Sequence, residues 1–293
     1  MAYMEIEHMT KDYGEGRGIF DINLSIEKGD VFGFVGTNGA GKTTLIRHLM
    51  GFIKPQSGRA TINGLDCWNE SAEVKRLVGY IPGEIAFPDA PTGTAFLKRQ
   101  AELLGLTDMS YAEAMINKLQ LDPSANLKRM SKGMKQKTAI IAALMAESDI
   151  LIMDEPTTGL DPLMRTEFVS LLREEKKKGT TIFMSSHMFE EVEETCDKVA
   201  MIKDGKLIAV KSTAEIKHSE EKVYNIAFAT VEAYERFIHE SFSIIGQNEV
   251  KHEVSIQLHD RQINTLFHTL KAYNIKYMTE TKYTLEKYFN SLY

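Results

Sequence analysis

The chain has 293 residues, 43% of them hydrophobic and 26% charged, a length and balance that suggest about two globular domains with a substantial core and exclude a disordered chain. Its net charge of −6 argues against nucleic acid as the main partner. Two cysteines, Cys67 and Cys196, without C-x-x-C spacing fit a reducing compartment and no disulfide framework, and eight histidines are scattered without metal-ligand spacing.

The N-terminal Met1-Ala2-Tyr3-Met4-Glu5 lacks the basic-then-apolar pattern of a leader. Residues 3–9 and 19–26 read as strands, with Phe20, Ile22, Leu24 and Ile26 alternating with polar residues as in an antiparallel strand buried on one face. The loop between them, Lys11 to Gly18, is rich in glycine and charge; its Tyr13 either stacks on a purine or covers the edge of the core. The apolar run Val31–Val35 then leads into Gly36-Thr37-Asn38-Gly39-Ala40-Gly41-Lys42-Thr43-Thr44, a G-x-x-x-x-G-K-T pattern opening a helical stretch that ends near Met50. Strand, glycine-rich turn and helix together make a phosphate site. The glycines let successive N–H groups point at one anion, and the helix N-terminus adds the positive end of its dipole. Lys42 is placed to reach β- and γ-phosphates and the Thr43 hydroxyl to ligate Mg²⁺.

Arg59–Asn63 reads as a short strand closed by an Asn63-Gly64 turn, residues 71–77 as a helix and Val78–Ile81 as extended. Pro82-Gly83-Glu84 and Phe87-Pro88-Asp89-Ala90-Pro91 break regular structure, and Thr92–Leu104 and Tyr111–Leu121 carry helical spacing, so residues 85–130 read as a helical insertion in a nucleotide-binding sheet. Met130-Ser131-Lys132-Gly133-Met134-Lys135-Gln136-Lys137 precedes a helix running to about Ala146, and its Ala139–Ala146 part, the longest apolar run, is too short to span a bilayer. Ser131 caps that helix, which makes either an ordinary N-terminus or a second anion site. Ile150–Met153 is an apolar run ending in Asp154 and Glu155, as in a buried strand whose C-terminal end meets a ligand. There Asp154 would hold Mg²⁺ with Thr43, and Glu155 would polarise the attacking water. Thr158-Gly159-Leu160-Asp161-Pro162 is a turn starting a helix over 163–177, with Asp161 as a cap and Lys176-Lys177-Lys178 complementing the dipole at its end. Thr180–Ser185 is a further buried strand, and His187 just past its end can reach a γ-phosphate. Residues 198–203 and 206–210 form a hairpin around Asp204-Gly205.

No nucleotide motif follows residue 218, so the chain divides into domains 1–218 and 219–293. In the second, Val223–Ala229 reads as a strand; Val231, Tyr234, Phe237 and Ile238 mark a helix face; and Val254, Ile256 and Leu258 alternate. Asp260 could cap a helix with Ile263, Leu266, Phe267 and Leu270 inward; residues 275–279 alternate again; and Leu285, Tyr288, Phe289 and Leu292 define a last helix face. Strand, helix, strand, strand, helix, strand is the split βαβ order of a small ferredoxin-like unit.

Taken together, residues 1 to about 215 resemble the ATPase subunit of an ABC transporter, because six motifs occur in that family's order: Tyr13, Gly36–Thr43, Ser131–Gln136, Ile150–Glu155, Gly159–Asp161 and His187. The resemblance implies an α/β P-loop NTPase with a mixed sheet core, an antiparallel β subdomain and the helical insertion, followed by the ferredoxin-like unit. It implies Mg-ATP as ligand, Tyr13 stacking on adenine, Glu155, His187 and Lys42 in catalysis, and a head-to-tail dimer. In that dimer Ser131, Gly133 and Asp161 serve the nucleotide held by the second ATPase subunit, identical or not. Integral membrane permease subunits would hold the pair at the cytoplasmic face of the membrane. Two departures stand out. Lys132 replaces a glycine, and either adds a cation near the partner's phosphate or points to solvent; Gly83-Glu84 stands where the family has a glutamine, and Glu84 could contact magnesium instead. Both variants, and the C-terminal extension, are similar to the branch that exports drugs, antibiotics or peptides. The alternatives are a soluble non-transport ABC ATPase and a regulatory or immunity ATP-binding subunit.

Overall fold

The computed structural model describes residues 2–217, 221–281 and 284–292. They form two compact units, Met1–Ser212 and Thr213–Tyr293, so the structural division precedes the boundary drawn from the sequence after residue 218.

The first unit opens with β1 (Met4–Asp12) and β2 (Gly18–Ile26), then β3 (Val31–Val35), α1 (Lys42–Leu49), β4 (Ser57–Ile62), β5 (Leu65–Asp66), α2 (Ser71–Leu77) and β6 (Val78–Ile81). The strands β2-β1-β4-β5 make an antiparallel sheet. Ile22, Leu24 and Ile26 face inward as their alternation requires, but Phe20 does not: the register shifts between Ile22 and Ile19, Asp21 sits at φ 54°, and Ile19 takes the buried place. β1 also runs through Lys11 and Asp12, which the sequence reading gives to the loop.

Next come α3 (Gly93–Leu104), α4 (Ser110–Lys118), a 3-10 turn at Leu127–Arg129, α5 (Lys132–Leu144), β7 (Ile150–Asp154), α6 (Pro162–Lys178), β8 (Thr181–Ser186), α7 (Phe189–Thr195), β9 (Lys198–Lys203) and β10 (Lys206–Ser212). The second sheet has the order β10-β9-β3-β8-β7-β6, with β9, β3, β8, β7 and β6 parallel and β10 an antiparallel edge. Every residue of β3, β7 and β8 is buried, which is why these strands read as continuous apolar runs rather than alternating ones. The helix α1 packs Leu45, Ile46 and Leu49 into a core shared with Ile22 and Ile62 of the first sheet and Phe32, Phe34, Ile152 and Phe183 of the second. Parallel register sets Val35 beside Ser186, and Asp154 beside Ser185. Three strand ends therefore deliver their following residues to one edge of the sheet, where open α/β sheets bind ligands.

The second unit contains α8 (Thr213–Lys217), β11 (Glu221–Phe228), α9 (Val231–Phe237), β12 (Ser243–Asn248), β13 (Glu253–His259), α10 (Ile263–Leu270), β14 (Ile275–Thr281) and α11 (Leu285–Ser291). Its sheet has the order β12-β13-β11-β14, wholly antiparallel, as the split βαβ connectivity demands. Tyr224, Ile226, Phe228, Val254, Ile256 and Leu258 meet Phe237, Leu266 and Tyr273 in its core. Three expectations are corrected here. His259, not Asp260, caps the turn before α10; Phe267 is 52% exposed, one step round the helix from the buried Leu266 and Leu270; and Leu292 is exposed beyond the end of α11.

Candidate active site

The phosphate loop joins β3 to α1. At Gly41 the backbone takes φ 108°, and a Cβ there would stand 2.7 Å from Ile19 Cγ2 and 2.9 Å from the Gly18 carbonyl oxygen, so only glycine fits. The first turn of α1 has neither a capping side chain nor an acidic residue. Its free N–H groups and dipole are left for an anion. Lys42 is 5% exposed and folds back along the loop, its Nζ donating to the carbonyl of Gly36 at 2.8 Å and of Thr37 at 3.2 Å.

The ends of β7 and β8 supply the acids. Asp154 is 1% exposed. Its Oδ1 accepts from the Ser185 hydroxyl at 2.5 Å, while its Oδ2 is buried with no hydrogen-bond partner. A Cβ at Gly83 would stand 2.9 Å from that Oδ2, so only glycine leaves room beside the orphaned oxygen. Glu155 adopts φ 48°, uncommon for a residue with a side chain. Its N–H is fixed on Ser185, within 3.1 Å of both the carbonyl and the hydroxyl oxygen. Its carboxylate then lies 3.3 Å from Lys42 Nζ through Oε1 and 3.1 Å from His187 Nδ1 through Oε2. Burial and the nearby Asp154 charge push the Tyr80 hydroxyl up to about 12, so it stays a neutral donor beside the acids.

These groups surround a cavity of 680 Å³. Tyr13, Asn38, Gly39, Gly41, Lys42, Thr43, Thr44, Glu84, Asp154 and Glu155 line it, as do Arg17, Arg47, Tyr80 and Thr158, which the sequence reading did not single out. Gly36, Thr37 and Ala40 lie behind the lining as loop backbone, and His187 reaches the site through Glu155. Ser131, Gly133 and Asp161 are not in the lining. They sit together elsewhere: Ser131 caps α5 by accepting from the Met134 N–H at 3.2 Å, Asp161 caps α6 by accepting from Met164 at 3.0 Å, and a Cβ on Gly133 would come within 2.8 Å of the Gly159 carbonyl. Gln136 fastens this corner to the acidic turn by donating to the Pro156 carbonyl at 2.6 Å. Lys132 lays its stem over Gly159 and borders the cavity of its own chain, so the partner-or-solvent alternative omitted a third place.

The donor set suits a hard divalent cation. A hydroxyl at Thr43 and an unpaired carboxylate oxygen at Asp154 are oxygen ligands of the right kind. No cluster of three or more His, Cys, Asp or Glu among the described residues could hold an ion alone, so phosphate oxygens would share the coordination.

A family model described as ABC transporter matches residues 19–158. The chain is 30% identical over 288 residues to the linearmycin resistance ATP-binding protein LnrL of Bacillus subtilis (strain 168), covering 94% of this chain and 93% of LnrL. The chain belongs to the ABC transporter family. It is also 36% identical over 203 residues to the bacitracin transport ATP-binding protein BcrA of Bacillus licheniformis, covering 68% of this chain and 66% of BcrA. A solved ATP binding subunit of an ABC transporter superposes with a TM-score of 0.67 at 28% identity, over 73% of this chain and 92% of its own. The cbiO1 subunit of Clostridium perfringens, described as part of the ABC transporter complex cbiONQ, gives 0.62 at 26% identity over 73% and 90%. As a member of the ABC ATPases the chain binds and hydrolyses ATP for transport. Among the described residues no helix is long and apolar enough to cross a membrane.

Proposed function

We propose that this ABC ATPase takes Mg-ATP at the seam of a head-to-tail dimer and powers export of a drug, antibiotic or peptide through separate integral membrane subunits, to which it docks at the cytoplasmic face. The observation that carries this reading is the division of the site. Lys42 and Glu155 line the cavity 3.3 Å apart and His187 joins Glu155 at 3.1 Å from behind the lining, whereas Ser131, Gly133 and Asp161 neither line it nor contact these three. One chain thus supplies the phosphate loop and the acids, and the uncommitted turn of a second copy or a sister subunit closes on the terminal phosphate. The export branch and its cargo class are supported by the names of LnrL and BcrA and by the sequence variants at Lys132 and Glu84.

In this scheme Tyr13, half-exposed at the cavity rim, stacks on adenine. The loop N–H groups from Gly36 to Thr44 and the Lys42 ammonium bind the phosphates. Thr43 and Asp154, with Glu84 as a direct or water-mediated contact, would hold magnesium, which would supply positive charge to offset that of the phosphates. Glu155 orients and deprotonates the attacking water, and His187 holds the γ-phosphate and the Glu155 carboxylate in register. ATP favours the closed dimer by binding it better than the open one, and hydrolysis removes that preference. The test is Glu155→Gln: turnover should fall at least about a hundredfold, as expected for losing a general base, while ATP affinity by calorimetry is retained. Turnover at the wild-type rate would remove Glu155 from this role.

A further inference from the structure

Glu191, on α7, is 8% exposed and has no part in the scheme above. Its Oε2 accepts a hydrogen bond from the Ser186 hydroxyl at 2.7 Å, and the same hydroxyl oxygen accepts from the Met188 N–H at 2.9 Å. The residues on either side of His187 are therefore tied to one oxygen, and that oxygen to the carboxylate. Burial pushes the pKa of this carboxyl up, partly opposed by the side chains of Ser186, of Thr157 in the turn after Glu155 and of Arg165 on α6. Arg165 also donates to the Leu160 carbonyl at 3.2 Å. The turn that carries His187 is thus held to this one group. The helix bearing it is a firm support: α7 packs so tightly on β3 that a Cβ at Gly33 would stand 2.3 Å from Val192 Cγ1. The other carboxylate oxygen, Oε1, is buried without a hydrogen-bond partner. An apolar residue of similar size would avoid that cost, so a carboxylate here calls for a reason beyond packing.

We propose that Glu191 is a positioning residue for ATP hydrolysis: through Ser186 it fixes the chain on both sides of His187. The proposal rests on the roles given to His187 and Glu155 above. It is tested on the full chain by measuring turnover and ATP affinity separately. Glu191→Ala should lower kcat about tenfold or more with KM and ATP affinity within about threefold, the signature of an interaction felt at the chemical step rather than in binding. Glu191→Gln, which keeps an acceptor for the Ser186 hydroxyl, should recover kcat to within about threefold of wild type. Ser186→Ala should reproduce the loss, and the Ser186→Ala/Glu191→Ala double variant should be no slower than either single one, because both remove the same link. Wild-type kcat in Glu191→Ala, multiplying losses in the double variant, or a loss confined to ATP affinity would each overturn the proposal. If Glu191→Ala does not fold, Ser186→Ala carries the test alone, and wild-type kcat there overturns it. His187→Ala separates the two readings: full turnover by that variant refutes the role of His187 itself, whereas its loss alongside a fully active Glu191→Ala refutes only the coupling through Glu191.

Discussion

Ser185→Ala removes the hydroxyl that joins the two acids at the end of β7. In the structure that hydroxyl donates to Asp154 Oδ1 at 2.5 Å and accepts from the Glu155 N–H at 3.1 Å, at a position with 0% exposure. The Glu155 N–H keeps a second acceptor, the Ser185 carbonyl at 3.1 Å, so most of the cost falls on Asp154. Asp154 already has one unpaired oxygen, and the substitution would leave both without partners. A hydrogen bond to a buried charged group contributes about 1.5–3 kcal/mol, and for a domain of this size each kcal/mol lost lowers the melting temperature by about 2–4 °C. The expected drop is therefore about 3–12 °C in the nucleotide-free protein. With saturating Mg-ATP the gap between variant and wild type should narrow, because the cation gives the stranded carboxylate a partner and ligand binding adds its own stabilisation. Scanning calorimetry with and without Mg-ATP, and with ATP in excess chelator, reads both effects. A variant that melts within about 1 °C of wild type, or a gap that Mg-ATP leaves unchanged, would refute the claim that the Ser185 hydroxyl is the donor that stabilises the buried Asp154 carboxylate.

Three further outcomes follow from the same geometry. Gly83→Ala puts a methyl group 2.9 Å from Asp154 Oδ2; it should weaken Mg-ATP binding at least about tenfold with little effect on ATP measured in chelator, and equal effects in both conditions would contradict the assignment. Lys42→Ala removes the ammonium that lies between the loop carbonyls and Glu155, and calorimetry should show lost ATP affinity; unchanged affinity would count against the phosphate-loop reading. Glu191 has its pKa raised, chiefly by burial. The folded state thus holds a proton that the unfolded state has released, and stability falls as pH rises from the unfolded carboxyl value, about 4.3, through the folded one. Glu191→Gln abolishes this term, so its melting temperature relative to wild type should climb from pH 4 to pH 8; a constant difference would show that the carboxyl does not titrate differently on folding.

The parts of the site written within one short stretch were legible in the sequence. Gly36–Thr43 lies between a buried strand and a helix, and the Asp154-Glu155 pair closes an all-apolar run; both patterns carry their own structural context. Ser185 and Tyr80 were not legible, because strand register and burial bring them to the acids, and Arg47 was not, because it reaches the cavity from α1 and no local pattern marks it. The alternation in β2 predicted its inward face correctly up to Ile22 and then failed at Phe20, since a positive φ at Asp21 resets the period. The seven residues of α7 went unread: a Glu-rich stretch with only Glu191, Val192 and Thr195 buried has too weak a periodicity to announce a helix. In the C-terminal unit, alternation and helical spacing gave the split βαβ order, while Phe267 shows that an apolar residue beside the inward stripe need not be in it.

The central claim is that nucleotide is enclosed between two subunits. Light scattering on the Glu155→Gln protein in saturating Mg-ATP measures it most directly. This protein should scatter as a species of twice the 33.1 kDa chain mass that reverts to monomer when Ser131→Arg is added, with ATP still bound. A monomer of 33.1 kDa that is saturated with Mg-ATP at every protein concentration would contradict it.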